Sequence, residues 1–198
     1  MPEEPLQHHR RIGELESELL KALRRIAELE SEKIYLEKAA HEDQLTTVYN
    51  RRGFNKRLEA IKAVVDRQPD RFTYPDLYYL STDIDYFKKI NDTHGHSAGD
   101  LVLQQFASIL TGDIRDYDIV GRFGGEEFLI ALVDISPDEA YAKANALAED
   151  VRTHPFEMPG KVTIKVTASF GLAGDIEAAD KALYQAKQAG RDRVVVAS

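Results

Sequence analysis

Residues 122–128 read Arg-Phe-Gly-Gly-Glu-Glu-Phe, and no other stretch narrows the possible folds of this chain as far. The paired glycines separate one apolar run (Ile119, Val120, Phe123) from a second that starts at Phe128 and continues to Val133. Two apolar runs around a Gly-Gly step predict a tight β-hairpin with Gly124 and Gly125 at its tip. Glycine there permits positive φ and admits a ligand where a Cβ would collide. Glu126 and Glu127 follow the tip, so strand alternation is expected to aim one acid at each side of the sheet. Taken alone, Gly-Gly-Glu-Glu also fits an ordinary solvated turn. The residues upstream decide between the two.

The chain has 198 residues, 43% of them hydrophobic, which suits one domain with a full core plus an appendage. It has no cysteine, so disulfides, thiolate metal sites and thiol nucleophiles are excluded, and an intracellular setting is compatible. A net charge of -8 argues against a general nucleic-acid binder but leaves room for a local basic pocket for phosphates. No apolar run is long enough to span a bilayer, and the N-terminus lacks the apolar core of a signal peptide. The expected setting is therefore the cytoplasm, with neither membrane nor nucleic acid as a partner of this chain.

Residues 10–42 contain a single glycine, Gly13, and no proline, and are dense in good helix formers. Ile12, Leu15, Leu19, Ala22, Ile26, Leu29 and Leu36 recur in steps of three and four, with Lys33 interrupting, which is a coiled-coil seam. With Ile12, Leu19 and Ile26 at a and Leu15, Ala22 and Leu29 at d, Arg11 meets Glu16 and Arg25 meets Glu30 across a parallel dimer. Glu32 would repel Glu37, and Lys33 falls at an a position, so the last heptad is weak. The alternative is a lone amphipathic helix packed on its own domain. The division expected is residues 1–42 as a coiled-coil dimerisation and signalling helix, and residues 43–198 as the globular domain.

Within that domain, residues 43–50 form a polar connection with capping residues, and residues 51–67 resume a helical period. A buried strand is expected over 77–84, a short helix over 86–91, a turn over 94–97 and an amphipathic helix over 98–115. The hairpin strands follow at 119–123 and 127–133, then a helix at 137–154, a strand at 161–173, a helix at 178–189 and a last strand at 193–196. This order predicts an α+β domain with a mixed sheet and its helices on one side.

Asp83 ends the buried strand and Glu126 begins beside the hairpin tip. Strand ends lying side by side would bring the two carboxylates within a few ångströms, and such a pair suits Mg²⁺, which takes one or two protein carboxylates together with waters and substrate phosphates. The backbone amides of residues 85–88 begin a helix, whose N-terminus attracts anions, and Lys88 adds a positive charge. Read singly, Asp85 caps that helix and Lys88 is a solvated side chain.

The run Asp83-Ile-Asp-Tyr-Phe-Lys-Lys-Ile-Asn91-Asp-Thr-His-Gly-His96-Ser-Ala-Gly-Asp100, followed by Gly-Gly-Glu-Glu-Phe and by Ala179-Asp-Lys-Ala-Leu-Tyr-Gln-Ala-Lys187-Gln-Ala-Gly-Arg191, resembles the GGDEF-domain diguanylate cyclases. The resemblance runs from about residue 43 to the C-terminus. It implies a nucleotidyl-cyclase, polymerase-palm-like fold with a central mixed sheet flanked by helices. It also implies a homodimer in which two GTP molecules are joined into cyclic di-GMP with release of pyrophosphate. Asp83, Glu126 and the carbonyl of Ile84 would hold the metals, two Mg²⁺ or Mn²⁺ per half-site, and Glu126 would help deprotonate the ribose 3′-hydroxyl. Asn91 and Asp100 would read guanine, because an Asp facing N1 and the exocyclic amine accepts two hydrogen bonds that adenine does not offer. His96 and Phe87 would line the nucleotide pocket. Lys88, Lys187 and Arg191 would hold the triphosphate, with Lys88 offsetting charge in the transition state. At helical spacing, Lys187 and Arg191 could equally decorate a helix C-terminus. His94 is read as a turn residue.

Arg115 and Asp118 lie in an Arg-x-x-Asp pattern nine residues before Gly124, where the family often carries an inhibitory product site. A helix-terminal arginine paired with a nearby acid is the plainer reading, and Arg152 is a candidate second arm. Two departures from the family pattern stand out. The usual Leu-Thr-Gly-Leu reads Leu45-Thr-Thr-Val48, which removes a glycine at the joint, and the connection from Phe170-Gly171 to the last helix is short. The resemblance also implies an upstream sensor that acts through the weak heptad. The readings that compete with an active cyclase are a catalytically silent domain that binds GTP or cyclic di-GMP as a receptor, and a coiled-coil adaptor.

Overall fold

The computed structural model describes residues 4–68, 70, 72–73, 77–112, 114–115, 117–158, 160 and 162–197. Its contacts divide the chain into two units, Met1–Ala40 and His41–Ser198. The first is carried by α1 (Glu4–His41), a helix of 38 residues with no break. Ile12, Leu15, Leu19, Ile26, Leu29 and Leu36 of the expected seam stand between 46% and 59% exposed. Leu20, Leu23 and Ile34, which lie off that seam, are exposed as well, so the apolar face is wider than a strict two-in-seven stripe. Within the single chain, Arg11 reaches Glu14 at 3.3 Å and Arg25 reaches Glu28 at 3.1 Å along the helix surface.

The second unit contains β1 (Tyr49–Asn50), α2 (Arg51–Arg67), β2 (Leu77–Ile84), α3 (Phe87–His94), α4 (His96–Gly112), β3 (Ile119–Gly124) and β4 (Glu127–Val133). It continues through α5 (Pro137–Thr153), β5 (Phe156–Met158), β6 (Val162–Ile164), β7 (Ala168–Ala173), α6 (Ile176–Gln188) and β8 (Val194–Val196). Local chemistry sets several of these boundaries. Asn50 caps α2 by accepting from the Gly53 amide, and Asp175 caps α6 by accepting from Ala178. Ser136 and Glu139 form a capping box ahead of α5, with Pro137 in its first turn.

Six strands form the main sheet in the order β1-β3-β4-β2-β7-β8. The pairs β3/β4, β4/β2 and β2/β7 are antiparallel, and the outer pairs β1/β3 and β7/β8 are parallel. β2 is thus central and buried on both faces, and its alternation sorts its side chains. Leu80 and Ile84 join a core with residues of α4 and α5, including Val102, Phe106 and Leu147. Tyr79 joins a second core with Phe54, Leu58 and Ile61 of α2 and Ala179 of α6. Helices therefore cover both faces, not one, because the central strands bury side chains in both directions and each face needs its own cover.

The expected strand over 161–173 is two strands in different sheets. Val162 and Thr163 are exposed and pair with β5 in a two-stranded ribbon, whereas β7 is buried along its whole length in the main sheet. β1, too short to leave a periodic signal, and β5 lie outside the sequence expectation. Only Gly95, at φ 84°, separates α3 from α4, so the expected turn over 94–97 shrinks to one residue and His94 is helical.

Candidate active site

The hairpin closes one residue later than expected. Gly124 pairs with Glu127, so the two-residue turn is Gly125-Glu126, and a register shift between Arg122 and Gly124 makes a bulge at Phe123. Glu126 therefore lies in the turn and not on a strand, and the expected one-acid-per-face alternation does not apply to it. Positive φ among the glycines is confined to Gly95, Gly160 and Gly190. A Cβ on Gly124 would lie 3.3 Å from Glu127 Oε2, a close contact with the tip of a flexible side chain.

β2 runs antiparallel to β4, and Asp83 stands directly opposite Glu127. Asp83 is 7% exposed, and Lys187 Nζ lies 2.7 Å from its Oδ2. Burial pushes the Asp83 carboxyl up. The Lys187 ammonium opposes this by hydrogen bond and charge, the charges of Glu126 and Glu127 add to the rise, and the net result lies above the ordinary value. Three carboxylates thus converge electrostatically where β2 ends and β4 begins, with one ammonium among them. Among the described residues no group of three or more His, Asp or Glu side chains is gathered tightly enough to hold a metal ion by itself. A donor set of two carboxylates and a backbone carbonyl nevertheless fits Mg²⁺, which prefers few protein ligands and keeps waters and phosphates.

Asp85 does not cap α3. Its carboxylate, 4% exposed, accepts from Thr167 Oγ1 and Ser169 Oγ at 2.7 Å and from the Asp192 amide at 3.0 Å, tying the end of β2 to β7 and to the loop after α6. The Asp85 amide is used as well, donating to Thr167 O. The N-cap of α3 is Tyr86, at φ 55° with no side-chain cap. The free first-turn amides expected over 85–88 are accordingly those of α3 itself, from Phe87 on. Phe87 is buried and Lys88 is exposed.

Asn91 lies across the first turn of α4. A Cβ on Gly99 would meet Asn91 Oδ1 at 1.9 Å, so only glycine at that position lets the Asn91 amide group rest against the first turn of α4. Asp100 and His96 are exposed on the same turn. On the other side, α6 ends at Gln188, and Gly190, Arg191 and Asp192 all have positive φ. Arg191 is therefore not a helical neighbour of Lys187. Its guanidinium lies 4.5 Å from the centre of the Tyr86 ring, with Nη1 3.4 Å from the Tyr86 hydroxyl.

Arg115 and Asp118 form a closed turn. The Asp118 carboxylate accepts from the Arg115 amide at 2.9 Å and from the Val133 amide at 3.0 Å, and Arg115 Nη1 donates to Asp134 O at 3.1 Å. Arg152 is held by Asp192 at 2.9 Å and by Glu149.

Sequence reasoning missed Arg122. Its Nε and Nη2 donate to Gly125 O at 3.0 and 2.7 Å, and its Nη1 reaches Asp43 Oδ1 at 3.0 Å. Thr47, standing where the family usually has glycine, has φ 60°.

Residues 40–193 match the family model described as "Diguanylate cyclase, GGDEF domain". Among curated relatives, the "Response regulator PleD" of Caulobacter vibrioides is 39% identical over 170 residues, which cover 77% of this chain and 35% of the relative. The "Probable diguanylate cyclase DgcT" of Escherichia coli is 36% identical over 168 residues, covering 79% of this chain and 36% of the relative. The chain spans about a third of the length of these relatives. Among solved structures, the coiled coil and GGDEF domain of DgcB from Caulobacter crescentus, in complex with c-di-GMP, superposes with a TM-score of 0.80 at 26% identity, over 92% of this chain and 99% of that one. The active GGEEF domain of a diguanylate cyclase from Vibrio cholerae gives 0.62 at 32% identity, over 75% and 97%. The chain belongs to the GGDEF-domain diguanylate cyclase family.

Proposed function

We propose that this chain condenses two GTP molecules into cyclic di-GMP, releasing pyrophosphate, with one GTP on each of two facing domains of a homodimer. The observation that carries this reading is that Asp83, at the end of β2, stands opposite Glu127 beside the turn that bears Glu126, with the Lys187 ammonium on the buried acid. Such a concentration of negative charge, offset only in part by the half-buried Lys187 ammonium, favours a divalent cation and the phosphates it brings.

In this reading, Asp83, Glu126 and the Ile84 carbonyl hold two Mg²⁺ or Mn²⁺ ions. When bound, these ions polarise the α-phosphate and lower the pKa of the attacking hydroxyl. The chain supplies the rest. Asn91 and Asp100 orient guanine, with Phe87 and His96 lining the pocket. Asp100 accepts from guanine where adenine would leave it unpaired. Lys88, Lys187 and Arg191 bind the triphosphate, Lys88 answers charge that grows in the transition state, and Glu126 assists removal of the 3′-hydroxyl proton. Arg115 and Asp118 form an inhibitory product site, which Arg115 enters by exchanging its Asp134 carbonyl partner for a guanine edge or a phosphate. Since Arg152 is already held by Asp192 and Glu149, the second arginine arm for that product is expected from another element.

Incubation with GTP and Mg²⁺, followed by mass spectrometry of the nucleotides, tests the proposal. Cyclic di-GMP should form with GTP and not with ATP, and Glu126→Gln should lower the rate by at least about a hundredfold. Bound GTP that is recovered unchanged would favour a silent receptor instead.

A further inference from the structure

Gly190, Arg191 and Asp192, at φ 108°, 64° and 48°, are the only consecutive residues of positive φ among those described. Glycine takes that conformation freely, whereas Arg191 and Asp192 adopt it against the crowding of their Cβ atoms, so the surrounding structure must hold them there. Asp192 is held at both ends. Its amide donates to Asp85 Oδ2 at 3.0 Å, and Asp85 is a fixed point, 4% exposed and braced by the hydroxyls of Thr167 and Ser169. Its carboxylate accepts from Arg152 of α5, whose Nε lies 3.0 and 3.1 Å from Oδ1 and Oδ2, with Nη2 2.9 Å from Oδ1. Nη2 also donates to the Asp192 carbonyl at 3.4 Å, and Glu149, one turn back on α5, braces the same guanidinium. The backbone on either side is tied down as well, from the Arg191 amide to Ala186 O at 3.0 Å and from the Phe170 amide of β7 to Arg193 O at 2.9 Å.

Arg191, between these ties, lays its guanidinium over Tyr86, the N-cap residue of α3. We propose that Asp192 is a positioning residue for triphosphate binding: clamped between Arg152 on α5 and Asp85 beyond the end of β2, it keeps Arg191 in the left-handed conformation that directs its guanidinium to the start of α3. The Arg152 and Asp192 side chains are 40% and 38% exposed, so their ion pair contributes little to the stability of the fold, and its effect belongs to the loop. The consequence for phosphate binding rests on the cyclase reading; the clamp itself does not.

The test uses the full chain with Asp192→Gly, with Arg152→Gln and with both. Calorimetry in Mg²⁺ reads the affinity for GMP and for a GTP analogue carrying a methylene between the α- and β-phosphates, and thermal melts and amide hydrogen exchange accompany it. Asp192→Gly relieves the backbone while freeing the loop, so it should weaken the analogue about tenfold, leave GMP within about twofold and not lower the melting temperature. Arg152→Gln should weaken the analogue about threefold, speed exchange at the amides of residues 191–193 and leave the centre of β2 unchanged. The double variant should bind the analogue no more weakly than Asp192→Gly alone, since the two residues act in series. Equal losses for the analogue and GMP, losses that multiply in the double variant, or unchanged exchange at 191–193 in Arg152→Gln would overturn the proposal. Should Asp192→Gly fail to fold, Arg152→Gln decides alone. A native chain that binds neither nucleotide would refute the cyclase reading, while exchange in Arg152→Gln still judges the clamp.

Discussion

Asp83 is held in the sheet at a cost. Its burial and the two glutamates push its carboxyl up more than Lys187 brings it down, so the folded chain binds that proton more tightly than the unfolded chain does. A folded-state pKa above the unfolded one means that stability is present below the unfolded value, near pH 4, and is lost as pH rises through the folded value. In EDTA and without nucleotide, Asp83→Asn should therefore melt above the native chain at neutral pH and together with it below about pH 4. Thermal melts across that range check this, and a lower melting temperature for the variant at neutral pH would refute it. Asp83 was legible because it closes a short buried run that shows where the strand stops, and Glu126 because the Gly-Gly step before it marks a turn. The bond from Arg122 to Asp43 was not, since nothing in either neighbourhood signals a partner 79 positions away.

At the scale of elements, the entry turn carries backbone strain at Thr47. Asp43 binds its proton less readily than usual: burial acts against this, but the hydrogen bonds from Thr46 and Arg122 outweigh it. That clamp holds Thr47 at φ 60°, where glycine costs nothing. Thr47→Gly should stabilise the chain by about 1 kcal/mol, read as a higher urea midpoint at unchanged slope. A lower midpoint would mean that the Thr47 side chain contributes more than its backbone costs. Most helices were visible in their periods, and the capping residues expected over 43–50 include Asn50, which caps α2. The second helical face was not visible, because a short run such as β2, without a clean alternation of apolar and polar residues, reads the same whether one layer or two covers it. Glu126 was assigned to a strand because a Gly-Gly step marks a turn without marking which pair of residues closes it.

At the scale of the whole chain, α1 leaves an apolar row in water, which in a monomer has no compensation. We expect that row to be covered by the same row of a second copy, raising the effective concentration of two GTP-loaded domains. Replacing Leu19 and Ile26 with aspartate should halve the mass in sedimentation and lower specific activity most at low protein concentration, with recovery as concentration rises. Activity independent of concentration would separate α1 from catalysis.

The account depends on one cation site shared by β2 and the hairpin turn. Crystals grown with Mn²⁺ and a GTP analogue carrying a methylene between the α- and β-phosphates would reveal it by anomalous scattering. The predicted result is manganese within ligand distance, about 2.2 Å, of oxygens from both Asp83 and Glu126. Manganese bound elsewhere, with the Asp83 and Glu126 carboxylates pointing apart, would contradict it.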